Sequence, residues 1–270
     1  MASISRSGAA ATPAKAQSKR TQEPASQELL SELVAANHIL FDQGVVDGFG
    51  HVSVRHDRDP QRFLLARNMA PGQVTEQDIL EFGLDGAPLD AAGRTVYLER
   101  FIHSEIYRAR PDAMAIVHSH SPSIVPLSIS KTARLRAVFH MAGFIGQEAP
   151  LFEIRDVAGA ATDLLISNPA LGAALARCCG NHNIVLMRGH GSTVIGPSLR
   201  EAVYRAVYAE LNARYQCEAM RLGEVVYLSK EEGEAAVRNI EQQTVRAWNL
   251  WREQAARKRA FTPPSKDISG

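Results

Sequence analysis

The feature of this sequence that most constrains its fold is a short apolar run that ends in two histidines. The run is Met114-Ala-Ile-Val, and His118 and His120 follow it at a spacing of two. On a β-strand, residues i and i+2 point to the same face. We therefore predict a buried strand from whose end two imidazoles project side by side. That is the geometry of two nitrogen ligands to one divalent metal ion.

A second apolar run has the same kind of ending. Residues 183–187 precede Arg188-Gly-His190-Gly, in which the glycines allow the backbone to turn closely. His190 joins His118 and His120 in a predicted three-histidine site for one divalent metal ion, for which Zn, Mn, Fe and Co are all acceptable. Three neutral imidazoles leave the ion its full charge and an open coordination position, which suits polarising a substrate oxygen or generating bound hydroxide. The alternative for each histidine alone is a hydrogen-bonded core residue.

Composition excludes several other classes of protein. Of the 270 residues, 45% are hydrophobic and 22% charged, which is typical of a soluble globular protein. The formal net charge of +1 gives no support to nucleic-acid or anionic-membrane binding, and no apolar stretch approaches the roughly 20 residues that span a bilayer. The three cysteines lack C-x-x-C spacing, so we expect no disulfide framework and a cytoplasmic location.

The chain divides by composition into one domain and two tails. Residues 1–25 contain almost no large apolar side chain, so we predict a disordered N-terminal tail. Residues 26–257 form the predicted domain, and residues 258–270 a flexible C-terminal tail. Strands mixed with helices around one core predict an α/β or α+β fold.

The pattern of apolar residues and breakers predicts the individual elements. Helices are expected at 26–44, 95–110, 123–130, 163–165, 171–179, 198–223 and 230–254, and strands at 51–55, 63–67, 79–82, 114–118, 135–141, 151–156 and 183–187. Ser198-Leu-Arg-Glu201 is a capping box at the start of the longest helix. His51 follows Gly48-Phe-Gly50, where backbone can approach a ligand closely, so it is either a substrate contact or a turn histidine.

A set of motifs resembles the class II aldolase and adducin family over about residues 28–225. The set consists of Glu99, Arg-Pro-Asp at 110–112, His118-Ser-His120, Gly189-His190-Gly191 and the capped helix after residue 198. The resemblance implies a three-layer αβα sandwich with a central, mainly antiparallel sheet. It implies that the three histidines bind the metal and that Glu99 is the catalytic acid/base. It also implies a homo-oligomer, a dimer or tetramer, with active sites at subunit interfaces.

Several positions depart from the sugar-phosphate aldolases of that family. Those enzymes have an asparagine where this chain has His51 and paired serines where it has Tyr97-Leu98, and their catalytic tyrosine is matched by His140. Their Thr/Ser-Gly phosphate loop is replaced by residues 68–71, Asn-Met-Ala-Pro. Because a phosphate needs small residues and free backbone N–H groups, we expect a substrate without phosphate.

The replacement residues are similar to a decarboxylase branch of the family, which acts on hydroxylated aromatic or pyridine dicarboxylates. We therefore predict a metal-dependent, non-oxidative decarboxylase of a small hydroxylated aromatic or heteroaromatic carboxylate. Retro-aldol cleavage and decarboxylation both leave electrons on a metal-bound oxygen. His51, His140 or Glu99 would supply the proton to carbon. Arg188 would hold a carboxylate through paired hydrogen bonds, or would form a structural ion pair.

Three other functions fit the sequence. One is an aldolase that cleaves an unphosphorylated hydroxy-keto acid or a sugar phosphate. Another is an Fe(II)-dependent oxygenase of the prenylated hydroxybenzoate synthase type, which resembles the same family. The last is an adducin-like scaffold without catalysis, although adducin-type members lack the full histidine set.

Overall fold

The computed structural model describes residues 23–261, apart from the side chains of residues 241 and 261. Within that range seven strands form one sheet in the order β3-β2-β1-β4-β7-β6-β5. Neighbouring strands are antiparallel except β5 and β6, which are parallel. The strands are β1 (His51–Arg55), β2 (Arg62–Ala66), β3 (Ile79–Gly83), β4 (Ala115–Ser119), β5 (Leu151–Phe152), β6 (Ile184–Met187) and β7 (Gly191–Gly196).

Helices cover both faces of the sheet, because the central strands are apolar on both faces. The helices are α1 (Gln27–Asp42), α2 (Arg100–Ala109), α3 (Ile124–Ile129), α4 (Arg155–Ala158), α5 (Pro169–Cys179), α6 (Leu199–Leu222), α7 (Lys230–Ile240) and α8 (Thr244–Phe261). Val117 of β4 lies in a core shared with α1, α6 and α8. Its neighbour Ile116 lies in a second core with α2 and α5. The predicted three-layer sandwich with a mainly antiparallel sheet is therefore confirmed.

The longest helix begins where the sequence predicts. The Ser198 side chain accepts a hydrogen bond from the backbone N–H of Glu201, and the hydroxyl donates to the Glu201 carboxylate. The helix ends at Leu222, before Gly223 with its positive φ of 141°. No helix within residues 23–261 combines the length and apolar character that membrane crossing requires.

The predicted strand at 135–141 is wrong, because its backbone pairs with side chains instead of a strand. Asn212 accepts a hydrogen bond from Val138 N–H and donates one to the Arg136 carbonyl. One helical turn later, the Gln216 side chain accepts from Arg136 N–H and donates to the Arg134 carbonyl. These two amides of α6 hold the segment extended against the helix. Residues 140–145 then form 3-10 turns.

Local hydrogen bonds also explain three other differences from the predicted elements. The helix expected at 95–110 begins only at Arg100, since the Thr95 carbonyl accepts from Asn68 N–H rather than from within a helix. The predicted helix at 163–165 is absent from the described structure, because the Asp163 side chain accepts from Leu165 N–H in a turn. The strand expected at 151–156 ends at Phe152, and the Glu153 carboxylate accepts from Arg155 N–H at the start of α4.

The C-terminal helix predicted at 230–254 is two helices. Helix α7 packs on the 3-10 segment at 140–145 and α8 packs on α1 and α6, so the chain changes direction through a 3-10 turn at Glu241–Gln243. Helix α8 continues to Phe261, so residues 258–261 are helical rather than part of a flexible tail. Lys258 pairs there with Asp42. Residues 262–270 and residues 1–22 of the predicted tails lie outside the described residues.

Candidate metal centre

The structure brings together the three histidines that the sequence singled out. Strand β4 carries His118, and His120 follows just beyond its end. The turn from β6 to β7 carries His190, and β7 lies beside β4 in the sheet. Nε2 of His120 lies 3.2 Å from Nε2 of His118 and 3.0 Å from Nε2 of His190. All three rings therefore present the same atom to one point.

The protonation of His118 is fixed by its neighbour in the sheet. Its Nδ1 lies 3.1 Å from the backbone carbonyl of Ser192, and a carbonyl only accepts hydrogen bonds. Burial lowers the pKa of His118 well below 6.5, so the ring is neutral with its proton on Nδ1. Its Nε2 lone pair then faces the other two imidazoles, as in a metal-ligating histidine held by a carbonyl.

Glu99 adds a carboxylate to this cluster. It lies at the N-cap of α2, with Oε2 3.6 Å from Nε2 of His118 and 3.5 Å from Nε2 of His190. Burial alone would raise the pKa of Glu99, but the hydrogen bond from His190 and the electrostatic interactions with the surrounding imidazoles hold the pKa below its usual range. Glu99 is therefore a carboxylate at neutral pH.

The donor set fits a divalent metal ion. One ligand atom from each of Glu99, His118, His120 and His190 lies within 4.8 Å of the others. Three imidazole nitrogens that meet at 3.0–3.2 Å cannot all satisfy one another by hydrogen bonds, whereas a cation satisfies all of them. Imidazole and carboxylate ligands suit Zn, Mn, Fe and Co alike, so the residues fit a metal without specifying which one.

Two glycines let the backbone approach this cluster. A Cβ on Gly191 would lie 2.0 Å from the carbonyl oxygen of Ser119, because β7 pairs with β4 at this point. Gly50 has a φ of +92°, and a Cβ there would lie 2.7 Å from Val46 and 3.0 Å from the carbonyl oxygen of His118. Their place in the sequence therefore reflects close packing around the histidines.

A cavity of about 340 Å³ opens above the cluster. Its lining includes Phe49, His51, Asn68, Met69, Tyr97, Leu98, Glu99, His118, His120 and Leu165. A larger groove of about 690 Å³ lies between α7 and residues 143–148, but its lining does not include the Glu99 and histidine cluster. The smaller cavity is the candidate active site because three of the four convergent ligands, Glu99, His118 and His120, line it.

The loop at 68–71 is tied at two backbone groups to residues that precede α2. The N–H of Asn68 donates to the Thr95 carbonyl, and the carbonyl of Met69 accepts from the hydroxyl of Tyr97. Burial raises the pKa of Tyr97 to about 12, so the phenol stays neutral.

His51 lies beside the cluster. In the register of β1 and β4 it is opposite His118, and the two ring centroids are 5.0 Å apart. Its Nδ1 lies 2.6 Å from Nε2 of His103, a buried histidine that the sequence did not identify as part of the site. The available signal was its position on the same helix face as Glu99, one turn later.

The other two predicted site residues lie differently. His140 is exposed at the start of the 3-10 segment, and no contact among the described residues joins it to the three histidines. Arg188 pairs with Glu153, with Nε 2.5 Å from Oε2. Hydrogen bonds from Arg155 and Arg188 lower the pKa of Glu153 to about 2. The structure thus shows Arg188 in an ion pair, one of the two predicted roles.

Comparison with known proteins establishes the family. Residues 31–217 match the class II aldolase and adducin N-terminal domain. The chain therefore belongs to the class II aldolase and adducin family, as the motifs predicted.

Within the family, the similar proteins include decarboxylases. The chain is 36% identical over 241 residues to decarboxylase tropJ of Talaromyces stipitatus, covering 81% of this chain and 90% of that protein. It is 29% identical over 202 residues to 3,4-dihydroxyphthalate decarboxylase of Terrabacter sp., covering 71% and 82% respectively. These matches confirm the predicted resemblance to the decarboxylase branch.

A solved structure gives the same fold. L-fuculose 1-phosphate aldolase from Glaciozyma antarctica matches with a TM-score of 0.71, covering 89% of this chain and 96% of that one. Since its sequence identity is 20%, the match concerns the fold alone.

Proposed function

We propose that this protein is a metal-dependent, non-oxidative decarboxylase of a hydroxylated aromatic or heteroaromatic carboxylate. The observation that carries the proposal is the convergence of three imidazole Nε2 atoms and the Glu99 carboxylate beside a cavity that Glu99, His118 and His120 line. The two decarboxylases reported above support the reaction class. The sequence Asn-Met-Ala-Pro at 68–71, in place of a Thr/Ser-Gly phosphate loop, supports a substrate without phosphate.

The reaction breaks the bond between a ring carbon and the carboxylate carbon. CO2 leaves, the electron pair stays on the substrate, and a proton takes the place of CO2 on the ring carbon. A bound divalent ion supplies Lewis-acid stabilisation of the charge on a substrate oxygen. Phe49, Met69 and Leu98 give the cavity an apolar wall that fits a flat ring and reduces the water around the reacting carbon.

Glu99 is the residue best placed to move the proton. Its Oε1 accepts from the backbone N–H of Ile166 at 2.9 Å, which leaves Oε2 facing the cluster. In the proposed mechanism this carboxylate takes the proton of the substrate hydroxyl and returns it to the ring carbon, so that atoms balance without an oxidant. His51 lines the same cavity and contacts the substrate. For Arg188 we propose that guanidinium donors outside the Glu153 pair hold a second carboxylate.

We also propose a homo-oligomer, a dimer or tetramer, in which the site lies at a subunit contact. Phe49 and Leu98 at the cavity are 69% and 50% exposed, and Ile129, next to Gly189, is 58% exposed. Covering these apolar side chains with a second copy would remove them from water. The exposed His140 would then complete the site of a neighbouring copy. The three free cysteines support a reducing, cytoplasmic location.

The test is anaerobic turnover. The purified protein, loaded separately with Mn²⁺, Zn²⁺, Co²⁺ or Fe²⁺, is given ortho-hydroxy benzene and pyridine mono- and dicarboxylates labelled with ¹³C at the carboxylate. We expect labelled CO2 in equal amount to a ring product with one carboxylate fewer. A chelator should abolish release and the added metal should restore it.

Other outcomes overturn the proposal. Pyruvate from a hydroxy-keto acid, with no CO2 from the aromatic panel, would indicate an aldolase. Turnover that needs O2 would indicate the Fe(II) oxygenase. No turnover of either panel by metal-loaded protein would favour a non-catalytic scaffold.

A further inference from the structure

Four polar side chains form a hydrogen-bonded chain from the core to the wall of the cavity. The hydroxyls of Tyr107 and Ser53 are 2.8 Å apart, and Ser53 Oγ lies 2.6 Å from Nδ1 of His103. Nε2 of His103 lies 2.6 Å from Nδ1 of His51. Ser53 and His103 are fully buried, and Tyr107 and His51 are 1% and 4% exposed. Because water hardly reaches these four side chains, the direction of each hydrogen bond is decided by the four groups themselves.

The Tyr107 hydroxyl sets the donor and acceptor of the first hydrogen bond. Among the described residues, its hydroxyl has one hydrogen-bond partner, Ser53. Burial raises the pKa of Tyr107 above its usual value, so the phenol keeps its proton. A buried O–H without an acceptor is strongly unfavourable. Tyr107 therefore donates to Ser53.

The rest of the chain follows from this first bond. Ser53 accepts from Tyr107, so its own proton is free for Nδ1 of His103. Burial lowers the pKa of His103 to about 3, which leaves the ring neutral with its proton on Nε2. His103 then donates to Nδ1 of His51. In a neutral His51 the proton must lie on the remaining nitrogen, Nε2.

That nitrogen faces the cavity. His51 lines the cavity, and its Nε2 makes no hydrogen bond to a described residue. The His51 ring also packs on Tyr97, with centroids 4.6 Å apart, and on His118. These ring contacts fix the orientation of the His51 imidazole, and the four hydrogen-bonded side chains fix which of its nitrogens carries the proton.

We propose that Tyr107 and Ser53, acting through His103, fix His51 as the Nε2–H tautomer, so that His51 donates a hydrogen bond to an anionic oxygen of the bound substrate. His103, Ser53 and Tyr107 are thus positioning residues, and His51 acts as a hydrogen-bond donor rather than as a base. The identity of the acceptor as a carboxylate or phenolate oxygen rests on the proposed function. The tautomer itself does not.

Neutron diffraction from a crystal of the perdeuterated full-length protein tests the tautomer without any turnover. We expect deuterium on Nε2 of both His51 and His103, and the Ser53 deuteron directed at Nδ1 of His103. Deuterium on Nδ1 of His51 would overturn the inference. A failure of the decarboxylase assay would leave this result unaffected, so the two proposals fail separately.

Kinetics test the consequence. Tyr107→Phe and Ser53→Ala should each lower kcat/KM by about 10- to 100-fold, as removing the partner of an active-site imidazole does. Metal content should be unchanged. The Ser53→Ala crystal should show the His51 deuteron shared between the two ring nitrogens. Tyr227→Phe is the control, because Tyr227 does not line the cavity and its hydroxyl accepts from Gln216 of α6, and it should keep wild-type kcat/KM. A wild-type kcat/KM in both Tyr107→Phe and Ser53→Ala would contradict a positioning role. If a variant does not fold, the wild-type neutron map still decides the tautomer.

Discussion

The backbone N–H of Ile166 donates to Oε1 of Glu99 at 2.9 Å. One carboxylate oxygen is therefore tied to the loop that precedes α5, and the other is turned toward His118 and His190. The loop includes Leu164 at a φ of +70°, a conformation that costs a non-glycine residue free energy. Such strained residues cluster at functional sites, which agrees with the role proposed for Glu99.

Glu99→Gln should separate proton transfer from structure. The amide oxygen of Gln can still accept from Ile166, but the side chain can no longer take and return a proton. We expect kcat for CO2 release to fall by about 10²- to 10⁴-fold, with metal content retained by the three histidines. Glu105→Gln, on the same helix and paired with Arg108, is the control and should keep kcat. An unchanged kcat in Glu99→Gln would remove Glu99 from the proposed mechanism.

His118→Ala should remove the metal. The variant loses the buried imidazole whose Nε2 lone pair is fixed by Ser192, and ligand loss at such sites greatly weakens binding. Each protein is loaded with metal and dialysed to remove the unbound ions. Elemental analysis should then show about one ion per wild-type chain and close to none in the variant. His182→Ala, at an exposed histidine outside the cluster, should bind as the wild type does. Equal metal content in both variants would mean that the ion is held elsewhere.

Asn212→Ala should destabilise the fold. The buried amide satisfies both Val138 N–H and the Arg136 carbonyl, and leaving two such groups unpaired costs about 2–6 kcal/mol. Urea unfolding should show that loss in the free energy of unfolding. In the control, Asn239→Ala removes an exposed amide on α7 and should change stability by less than about 0.5 kcal/mol. Similar losses in both would contradict the role assigned to Asn212.

Ala92→Gly should stabilise the protein. Ala92 is exposed and has a φ of 46°, which costs an alanine about 1 kcal/mol relative to glycine. Ala91→Gly, at the neighbouring position outside the positive-φ set, should instead destabilise slightly through added chain entropy. The midpoint of urea unfolding distinguishes the two signs. A loss of stability in Ala92→Gly would show that this turn does not hold its positive φ in solution.

His38 should make stability depend on pH. Burial and the charge of Arg259 lower its pKa to about 4, although the hydrogen bond to the Val74 carbonyl acts the other way. Between pH 6.5 and pH 4 the unfolded chain therefore binds a proton that the folded chain does not. The contribution of His38 is fully present above pH 6.5 and is lost as the pH falls toward 4. With its partial exposure, we expect a loss on the order of 1–2 kcal/mol.

The measurement for His38 is a comparison with His38→Gln, which keeps a donor for the Val74 carbonyl but does not titrate. Urea unfolding at pH 7 and pH 4.5 gives the change for each protein, and the other titrating groups cancel in the difference. The wild type should lose more stability than the variant. An equal loss would show that folding does not lower the pKa of His38.

The sequence predicted the centre of the site because the signal there is local. Two imidazoles at a spacing of two on a strand must share a face, so His118 and His120 could be paired without knowing the fold. Bringing His190 to them needed the adjacency of β4 and β7, which the apolar runs suggested and the family resemblance supplied. Glu99 came from the resemblance, since an isolated glutamate carries no such signal.

Other features depended on tertiary contacts that no local pattern records. Residues 135–141 alternate like a strand, yet their partners are the amides of Asn212 and Gln216, more than seventy residues away. The chain from Tyr107 to His51 joins β1 to α2 through side chains that are ordinary core residues when read singly. The break between α7 and α8 is set by the two surfaces on which they pack.

The most direct test of the central claim is an anomalous difference map from a crystal of the wild-type protein with Zn²⁺. We expect one peak between the Nε2 atoms of His118, His120 and His190, about 2.0–2.1 Å from each. The side chain of Glu99 should remain held by Ile166. A map with no peak there, or with the ion bound to other residues while the three imidazoles stay apart from it, would contradict the claim.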